Sequence, residues 1–507
     1  MGSQARSVGS PGELAWLVVA LLVPLLYAGM YAGDGVIHLA FAESAAEGRF
    51  FELNPGEPVA GETSPGFMLL VALPMRWLGA PATPLAVQVA GYLGWCLLVL
   101  LVWRVALRLL GDRRWALATA VVAGLVPGSA YNTVVGMENG WFALVIWGAI
   151  ALSLAPASRH QPARGAAIGA LLGVACWLRP EGLVLAGLWA LAEAAQGRRS
   201  RALTGGAVAA LLIAAALWFH HAHTGLWLPA SGRARVLAAH LDSWTLGPLV
   251  FDPTPAIRLA AYLPLGLGLP LGLRRLGEEE RHRGVWRLVA ATTLVFLALY
   301  STLLGAAHFG RYAIFLMPGI VLLAARGWRR ALARSGTGAQ RGWARRLAAA
   351  ALLWLLAVFA VETAWRARGA SHRMVALLRR APAERTATTD RLLAELGAPR
   401  DPAAPLIVAL VEVQLRYWLD ERVVVRSLDG RVDPLLLDFA GPEGVDYLGY
   451  LAAREVDAVL GLPDSGALEP LRLLSPGAEL ALGELRFRRV GAAPHFLVAR
   501  TAVAQGR

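Results

Sequence analysis

Gly33-Asp34-Gly35-Val36-Ile37-His38 follows directly on the first apolar segment, Leu14 to Tyr31. The chain then runs through Gly48-Arg49-Phe50-Phe51, Asn54-Pro55-Gly56-Glu57-Pro58 and Gly61-Glu62-Thr63-Ser64-Pro65. An acid at the end of an apolar segment sits at a membrane face, not in bulk water. A charge at that depth is expensive unless it faces a cavity or a partner, which makes Asp34 a functional candidate. The alternative is that Asp34 merely stops the helix and hydrates its end. A weakly amphipathic run, Val36 to Ala46, separates it from the turn-rich text that follows.

The composition sets the class. The chain has 507 residues, 57% hydrophobic and 16% charged, with a mean hydropathy of +0.52. A soluble domain of this size is not so apolar, so the sequence reads as a polytopic membrane protein. The formal net charge is +13, and with no lysine in the sequence all 48 basic residues are arginine. They are spread over short inter-helix loops and form no patch on one element, which excludes a nucleic-acid partner. Cys96 and Cys176 lie in apolar runs without zinc spacing and read as small core residues.

Spans of about 20 apolar residues, fewer where ends are thinned, are expected near 14–32, 84–107, 115–131, 140–155, 165–179, 181–195, 203–221, 256–273, 287–306, 312–326 and 346–365. That is about eleven. The run Ser64 to Leu78 is short and interrupted by Pro74 and Arg76, and counting it would break the charge alternation. With it excluded, one set of loops carries most of the arginine, including Arg104, Arg108, Arg113, Arg114, Arg198, Arg199, Arg201, Arg326, Arg329 and Arg330. The other set carries far fewer. That asymmetry places the N-terminus inside and Asp34 outside, with Ser64 to Leu78 as an interfacial helix. The expected organisation is a transmembrane module over 1–365, whose first external loop is 33–83, followed by an extracytoplasmic α/β domain over 366–507. In that domain Leu406 to Val411, Arg422 to Arg426, Val456 to Leu460, Glu479 to Arg489 and Phe496 to Thr501 read as strands, and Tyr447 to Ala453 as a helix.

Polar residues gather in the outward loops: Gly136-Met137-Glu138-Asn139, Arg179-Pro180-Glu181, His220, His221 and His223 with Arg233 and Arg235, and His308 with Arg311 and Tyr312. One glycosyl-transfer site could use them all. A carboxylate takes the acceptor proton, and arginines stabilise a departing lipid phosphate. Structural alternatives stand beside each: Arg179 and Glu181 as an ion pair closing a helical hairpin, the histidines as metal ligands or simply a hydrated helix end, and Arg233 and Arg235 as general contacts for anionic head groups.

The loop from Asp34 to Pro65 resembles the first external loop of the GT-C glycosyltransferases that use polyprenyl-phosphate sugars. It is most similar to the bacterial branch that includes the mycobacterial terminal arabinofuranosyltransferase. Asp34 falls on the second acid of that pattern, and Ile37, Gly48, Asn54, Pro55, Gly56, Glu57, Val59, Gly61, Thr63 and Pro65 on their counterparts. Gly33 stands where the first acid would be and Ala40-Phe41 where an Arg-Tyr pair would be. Gly136-Met137-Glu138, Leu178-Arg179-Pro180-Glu181-Gly182 and Arg311-Tyr312 before Pro318 match further segments in order. Beyond residue 366, the region from Tyr417 to Asp429 is similar to the family's periplasmic domain.

The resemblance implies a GT-C-like polytopic fold in a bacterial cytoplasmic membrane, with Asp34 as general base. Arg179, Arg233 and Arg311 become candidate donor-phosphate holders. Glu57, Glu62, Glu138, Glu181, His308 and Tyr312 become candidate substrate contacts, with Glu57 and Glu62 in reserve as bases. The implied partners are a polyprenyl-phosphate sugar, a cell-envelope acceptor glycan, lipid or protein, and membrane lipids. No cofactor or metal set is indicated, though a divalent cation is compatible with the chemistry. The rival class is a polyprenyl-linked sugar or lipid transporter, which also needs intramembrane charge but is expected to carry an internal repeat; the sequence has none.

Overall fold

The computed structural model describes residues 11–126, 128–155, 161–231, 264–274, 282–302, 313–334, 338–369, 372–396, 405–410, 413–428, 434–441, 444–462, 468–490 and 495–500. It is mostly helical. Over the described residues, the apolar runs fall mainly on helices: α1 (Pro11–Leu22), α4 (Thr83–Leu110), α5 (Arg113–Leu125), α7 (Asn139–Ser153), α8 (Gln161–Leu178), α9 (Gly182–Ala195) and α10 (Arg199–Thr224). Further helices span Pro264–Leu273, Arg283–Thr302, Met317–Arg334 and Gly338–Gly369. Two of the described helices, α4 and α10, are long and apolar enough to cross a membrane, and several shorter apolar ones accompany them. The first run leaves its helical path at Gly29 (φ +81°), and the run 115–131 breaks at Gly128 (φ +78°) before the short α6 (Ser129–Val134). Left-handed backbone is cheap only for glycine, so both breaks are written in the sequence.

By contacts the chain forms two compact units, each discontinuous in sequence. The first comprises Met1–Tyr31, Val87–Ala215 and Pro248–Met374; the second comprises Ala32–Ala86, Ala216–Gly247 and Val375–Arg507. Within the first unit, small residues set how closely helices approach. Gly165, Gly169 and Gly173 recur every fourth residue along α8. A Cβ on Gly169 would lie 2.1 Å from the Gly205 carbonyl oxygen, and one on Gly173 would lie 2.5 Å from the Leu212 side chain. That small-residue stripe lets α8 and α10 meet almost backbone to backbone, as membrane helices do in the absence of a hydrophobic drive between them. Gln88 is buried and ties down the exit of the first apolar run: its Oε1 accepts from Gly29 N–H, and its Nε2 donates to the Met30 carbonyl (both 3.0 Å).

The second unit holds α2 (Gly33–Ala46), the hairpin β1 (Glu52–Asn54) and β2 (Glu57–Pro58), and α3 (Pro65–Leu78), which opens on proline. It also holds a six-stranded sheet. Its strands are β3 (Leu406–Leu410), β4 (Val423–Ser427), β7 (Ala458–Leu460), β8 (Glu479–Leu482), β9 (Leu485–Val490) and β10 (His495–Arg500), in the spatial order β4-β3-β7-β10-β9-β8. β3 is parallel to β4 and β7, and the rest are antiparallel. A further small pair is β5 (Ala440–Gly441) with β6 (Gly444–Val445). The run Glu479 to Arg489 is a hairpin turning on Gly483-Glu484, with Leu482 opposite Leu485. A two-residue turn with glycine is the favoured connection there. The helix Tyr447–Ala453 and the segment around Leu468 and Leu471 cover one face, with Phe487 and Phe496 fully buried beneath.

Candidate functional site

Asp34 lies in the first turn of α2 and is half-buried. Ala32 at the N-cap supplies no side-chain cap, so Asp34 is the acid that complements the positive end of this helix. Gly33 lies against Gln414: a Cβ there would stand 3.6 Å from the Gln414 side chain, an ordinary contact, so space does not force glycine in place of an acid. One helical turn beyond Asp34, His38 is buried. Its Nδ1 lies 2.9 Å from Glu62 Oε2, and the other oxygen of Glu62 accepts the Ser64 N–H at 2.7 Å. Glu62 is 1% exposed. It ties the end of the loop to α2 and starts α3. His38, to which the sequence reading gave no role, thus joins α2 to the end of the loop, four residues on from Asp34.

The Asn-Pro-Gly-Glu turn docks on the edge of the sheet. Asn54 Nδ2 donates to the Val425 carbonyl and Asn54 Oδ1 accepts from the Val425 N–H, both at 2.9 Å. One side chain thus replaces a neighbouring strand at β4, whose outer edge would otherwise be open. Gly56 carries the turn at φ +77°. Glu57 closes it with a two-pronged ion pair to Arg426: Nη2 donates to Oε1 at 2.8 Å and Nη1 to Oε2. The Arg426 hydrogen bonds hold the Glu57 carboxyl below the usual carboxylate range, against an opposing effect of burial. Nearby, Phe51 is fully buried with φ +61°, rare for a non-glycine residue. Its ring is fixed between Phe219 and His220, with centroids 5.5 and 5.0 Å away.

The three histidines at the end of α10 have separate tasks. His220 Nδ1 donates to the Leu226 carbonyl at 2.7 Å, His223 Nδ1 donates to the Phe219 carbonyl at 2.8 Å, and His221 stacks on Trp227 at 4.2 Å. Among the described residues, no three His, Cys, Asp or Glu side chains are grouped to hold a metal.

Glu138, Arg179 and Glu181 form a cluster in the first unit. Arg179 Nη1 donates to Glu138 Oε1 at 2.5 Å and to Asn139 Oδ1 at 3.0 Å, and Nη2 donates to Glu181 Oε1 at 2.6 Å. The guanidinium also stands over the Phe142 ring. Arg179 is 7% exposed and Glu138 2%. Two glycines make this possible. Gly136 sits at φ +80° against Tyr31, and Gly182 packs so tightly that a Cβ would lie 2.3 Å from Cys176 N. The Arg-Pro-Glu-Gly sequence is thus the tight corner between α8 and α9, with its arginine turned to Glu138 at the start of α7. Phe315 joins the same region: it packs on Phe142 at 4.9 Å, and its carbonyl accepts from Trp147 Nε1 at 2.9 Å. Arg233, Arg235, His308, Arg311 and Tyr312 lie outside the described residues.

The sequence reading also missed an ion-pair layer in the second unit. Arg385, on the helix Met374–Leu396, grips Glu43 of α2 with both terminal nitrogens (2.9 and 2.5 Å) and lies over the Tyr417 ring. The pairing of an α2 glutamate with an arginine far along the chain is not visible in local sequence.

The architecture is similar to that of two solved proteins. ArnT from Cupriavidus metallidurans bound to undecaprenyl phosphate matches with a TM-score of 0.55 and 15% identity, over 97% of this chain and 98% of that one. The archaeal oligosaccharyltransferase AglB from Archaeoglobus fulgidus, in complex with an inhibitory peptide and a dolichol-phosphate, matches with a TM-score of 0.57 and 13% identity, over 89% of this chain and 69% of that one. At these identities the likeness is one of fold. No family model and no curated protein matches the sequence.

Proposed function

We propose that the protein is an integral membrane glycosyltransferase of the GT-C type. It moves a sugar from a polyprenyl-phosphate carrier to an acceptor outside the cytoplasmic membrane. The observation that carries this reading is the fold match along nearly the whole of both chains to a protein solved with undecaprenyl phosphate. The ordered loop motif from Asp34 to Pro65 adds to it and favours a donor of the kind used by the arabinofuranosyltransferase branch.

Asp34 is the general base: it is half-buried in the first turn of α2, at the acid position of the loop motif, and a carboxylate is suited to taking the acceptor proton. The carrier phosphate is already a good leaving group, so a second carboxylic acid is not required. Arg179 has both terminal nitrogens committed to carboxylates. Its role is therefore to hold Glu138 and Glu181 together at the corner between α8 and α9, and phosphate stabilisation passes to Arg233 and Arg311. His308 and Tyr312 complete the substrate contacts. Glu57 and Glu62 are held by Arg426 and His38 and shape the loop.

The test is mass spectrometry of lipid that co-purifies with the protein, followed by single-turnover transfer from that carrier with wild type and Asp34→Asn. A co-purified polyprenyl-phosphate sugar with transfer abolished in the variant supports the reading. Carrier binding with equal transfer by both proteins removes Asp34 from the mechanism. Carrier movement across vesicles without transfer replaces the enzyme with a transporter.

A further inference from the structure

We propose that the cavity bordered by the C-terminal half of α2, the first-loop hairpin and the helix Met374–Leu396 binds a neutral oligosaccharide, at a subsite about two and a half helical turns from Asp34. In naming that oligosaccharide the acceptor, the proposal rests on the glycosyl-transfer reading. The cavity has a volume of about 510 Å³ and lies within the second unit. That is inside the range of roughly 300–1,000 Å³ typical of small-ligand sites. Its lining carries four arginines and four carboxylates, with Ser44 and Thr386 between them.

Most of these charges are already paired. Arg385 holds Glu43 through both terminal nitrogens, and its Nε donates to the Tyr417 carbonyl at 2.9 Å. Arg422 holds Asp420 at 2.7 Å and Asp390 at 2.8 Å. Arg416 donates to the carbonyls of Leu53 at 3.1 Å and Leu419 at 2.6 Å. An anionic ligand meets no surplus of positive charge here, and a cationic one meets no surplus of negative charge. What remains is a surface of paired planar charged groups, in which a guanidinium has five N–H donors and a carboxylate about four lone pairs, more than the bonds just named use. Hydroxyl groups both donate and accept, and a charge-assisted hydrogen bond is about twice as strong as a neutral one. Because the side chains are fixed before the ligand arrives, little rotamer entropy is lost on binding. A neutral polyhydroxyl ligand is the class that fits.

The geometry also sets a length. Glu43 is nine residues along α2 from Asp34, or about 14 Å at the helical rise of 1.5 Å per residue. That is longer than one sugar ring. Nine residues are also about two and a half turns, which sets Glu43 and Asp34 on opposite faces of α2. A glycan seated at Glu43 and Arg385 therefore reaches Asp34 only by running round the helix as well as along it, so the acceptor is a chain rather than a monosaccharide.

The experiment uses the full-length protein in lipid nanodiscs on a glycan array of neutral, uronate-bearing and phosphorylated oligosaccharides of graded length. Undecaprenyl phosphate titration and thermal unfolding are run in parallel. Neutral glycans should be retained, increasingly with length. Thr386→Trp fills the cavity mouth from an exposed helical position without removing an ion pair, and Arg422→Gln removes one exposed charged donor set. Each should weaken glycan binding by about tenfold, the scale of one or two charge-assisted contacts, with carrier affinity and unfolding midpoint unchanged. Carrier binding with no neutral glycan retained, preference for uronate or phosphorylated glycans, or neutral-glycan binding indifferent to both variants overturns the subsite and leaves the transferase reading standing. Neutral-glycan binding lost in the variants, in a protein that ignores undecaprenyl phosphate, keeps the subsite and removes the transferase reading.

Discussion

Replacing Asn54 by alanine removes one side chain that serves two backbone groups. The Val425 N–H and carbonyl each lose a partner at 2.9 Å. The site is dry, with Asn54 2% exposed and Val425 buried. A buried polar group left unsatisfied costs about 1–3 kcal/mol. Water entering the gap relieves part of the two losses, so about 3 kcal/mol in total is expected for the hairpin's hold on β4. The Glu57–Arg426 pair remains, so the hairpin loosens but does not leave. Local opening governs amide exchange, and about 3 kcal/mol corresponds to roughly a hundredfold faster exchange. Hydrogen exchange with mass spectrometry on peptides covering Phe51–Val59 and Val423–Ser427 reads this directly, with the peptides of β9 and β10 as internal controls. Asn54→Asp is the sharper variant. It keeps an acceptor for the Val425 N–H but sets an oxygen against the Val425 carbonyl and a second negative charge beside Glu57, so it should open the hairpin more than alanine does. Exchange within about threefold of wild type in the alanine variant, or an aspartate variant better protected than alanine, refutes the docking argument.

Asp34→Asn should lower turnover by about two to four orders of magnitude while carrier affinity holds, as measured by single-turnover transfer; Glu57→Gln and Glu62→Gln should have smaller effects. The Glu57–Arg426 pair holds the Glu57 pKa below its ordinary value, so its stabilisation is fully present above the ordinary glutamate range and is lost as pH falls through that range and below. The difference in unfolding midpoint between wild type and Glu57→Gln should therefore shrink between neutral and strongly acidic pH. Arg179→Met breaks a buried pair and should cost about 3–5 kcal/mol, with part of that recovered in the Arg179→Met/Glu138→Gln double variant when midpoints are compared. Gly182→Ala forces a Cβ to within 2.3 Å of the Cys176 backbone nitrogen and should destabilise by about 1–3 kcal/mol or more through overpacking, seen as a lower midpoint with the ion pairs intact.

Much of the helical part was legible because the signal there is local. Apolar runs bounded by arginine and glycine give helices at nearly the expected places, and in the C-terminal region β-branched runs such as Val423-Val424-Val425 give strands. The helix Tyr447–Ala453 fell on its expected residues. What the sequence hid was non-local. The helix Met374–Leu396 is rich in arginine and carries Pro382 in its interior, so neither apolar periodicity nor propensity announced it. Its buried positions, Val375, Leu378, Ala381, Thr389 and Leu396, are too sparse to stand out. The glycine stripe of α8 is visible as spacing, but only the facing backbone at Gly205 shows why it is there.

The site shows the same division more sharply. Asp34 stood out in the sequence as a charge beside a long apolar run, which calls for a reason wherever the rest of the chain goes. Glu57, Glu62, Glu138, Glu181 and Arg179 were legible as conspicuous, but what each is conspicuous for depends on its partner. Glu57 and Arg426 are separated by 369 residues, and Glu43 and Arg385 by 342. No reading of the loop alone distinguishes a carboxylate waiting for substrate from one gripped by an arginine. Burial decides between them. A carboxylate that is deeply buried and bonded at both oxygens, as Glu62 is to His38 and Ser64, has little capacity left for a substrate hydroxyl. Asp34 differs from Glu62 in burial: it is half-buried, in the first turn of α2. The turn of Asn54, Gly56 and Glu57 does three structural jobs: Asn54 completes a sheet edge, Gly56 reverses the chain, and Glu57 locks the reversal to Arg426. A conspicuous turn can therefore lie close in sequence to a candidate acid while its asparagine, glycine and glutamate are spent on fixing the loop to the sheet.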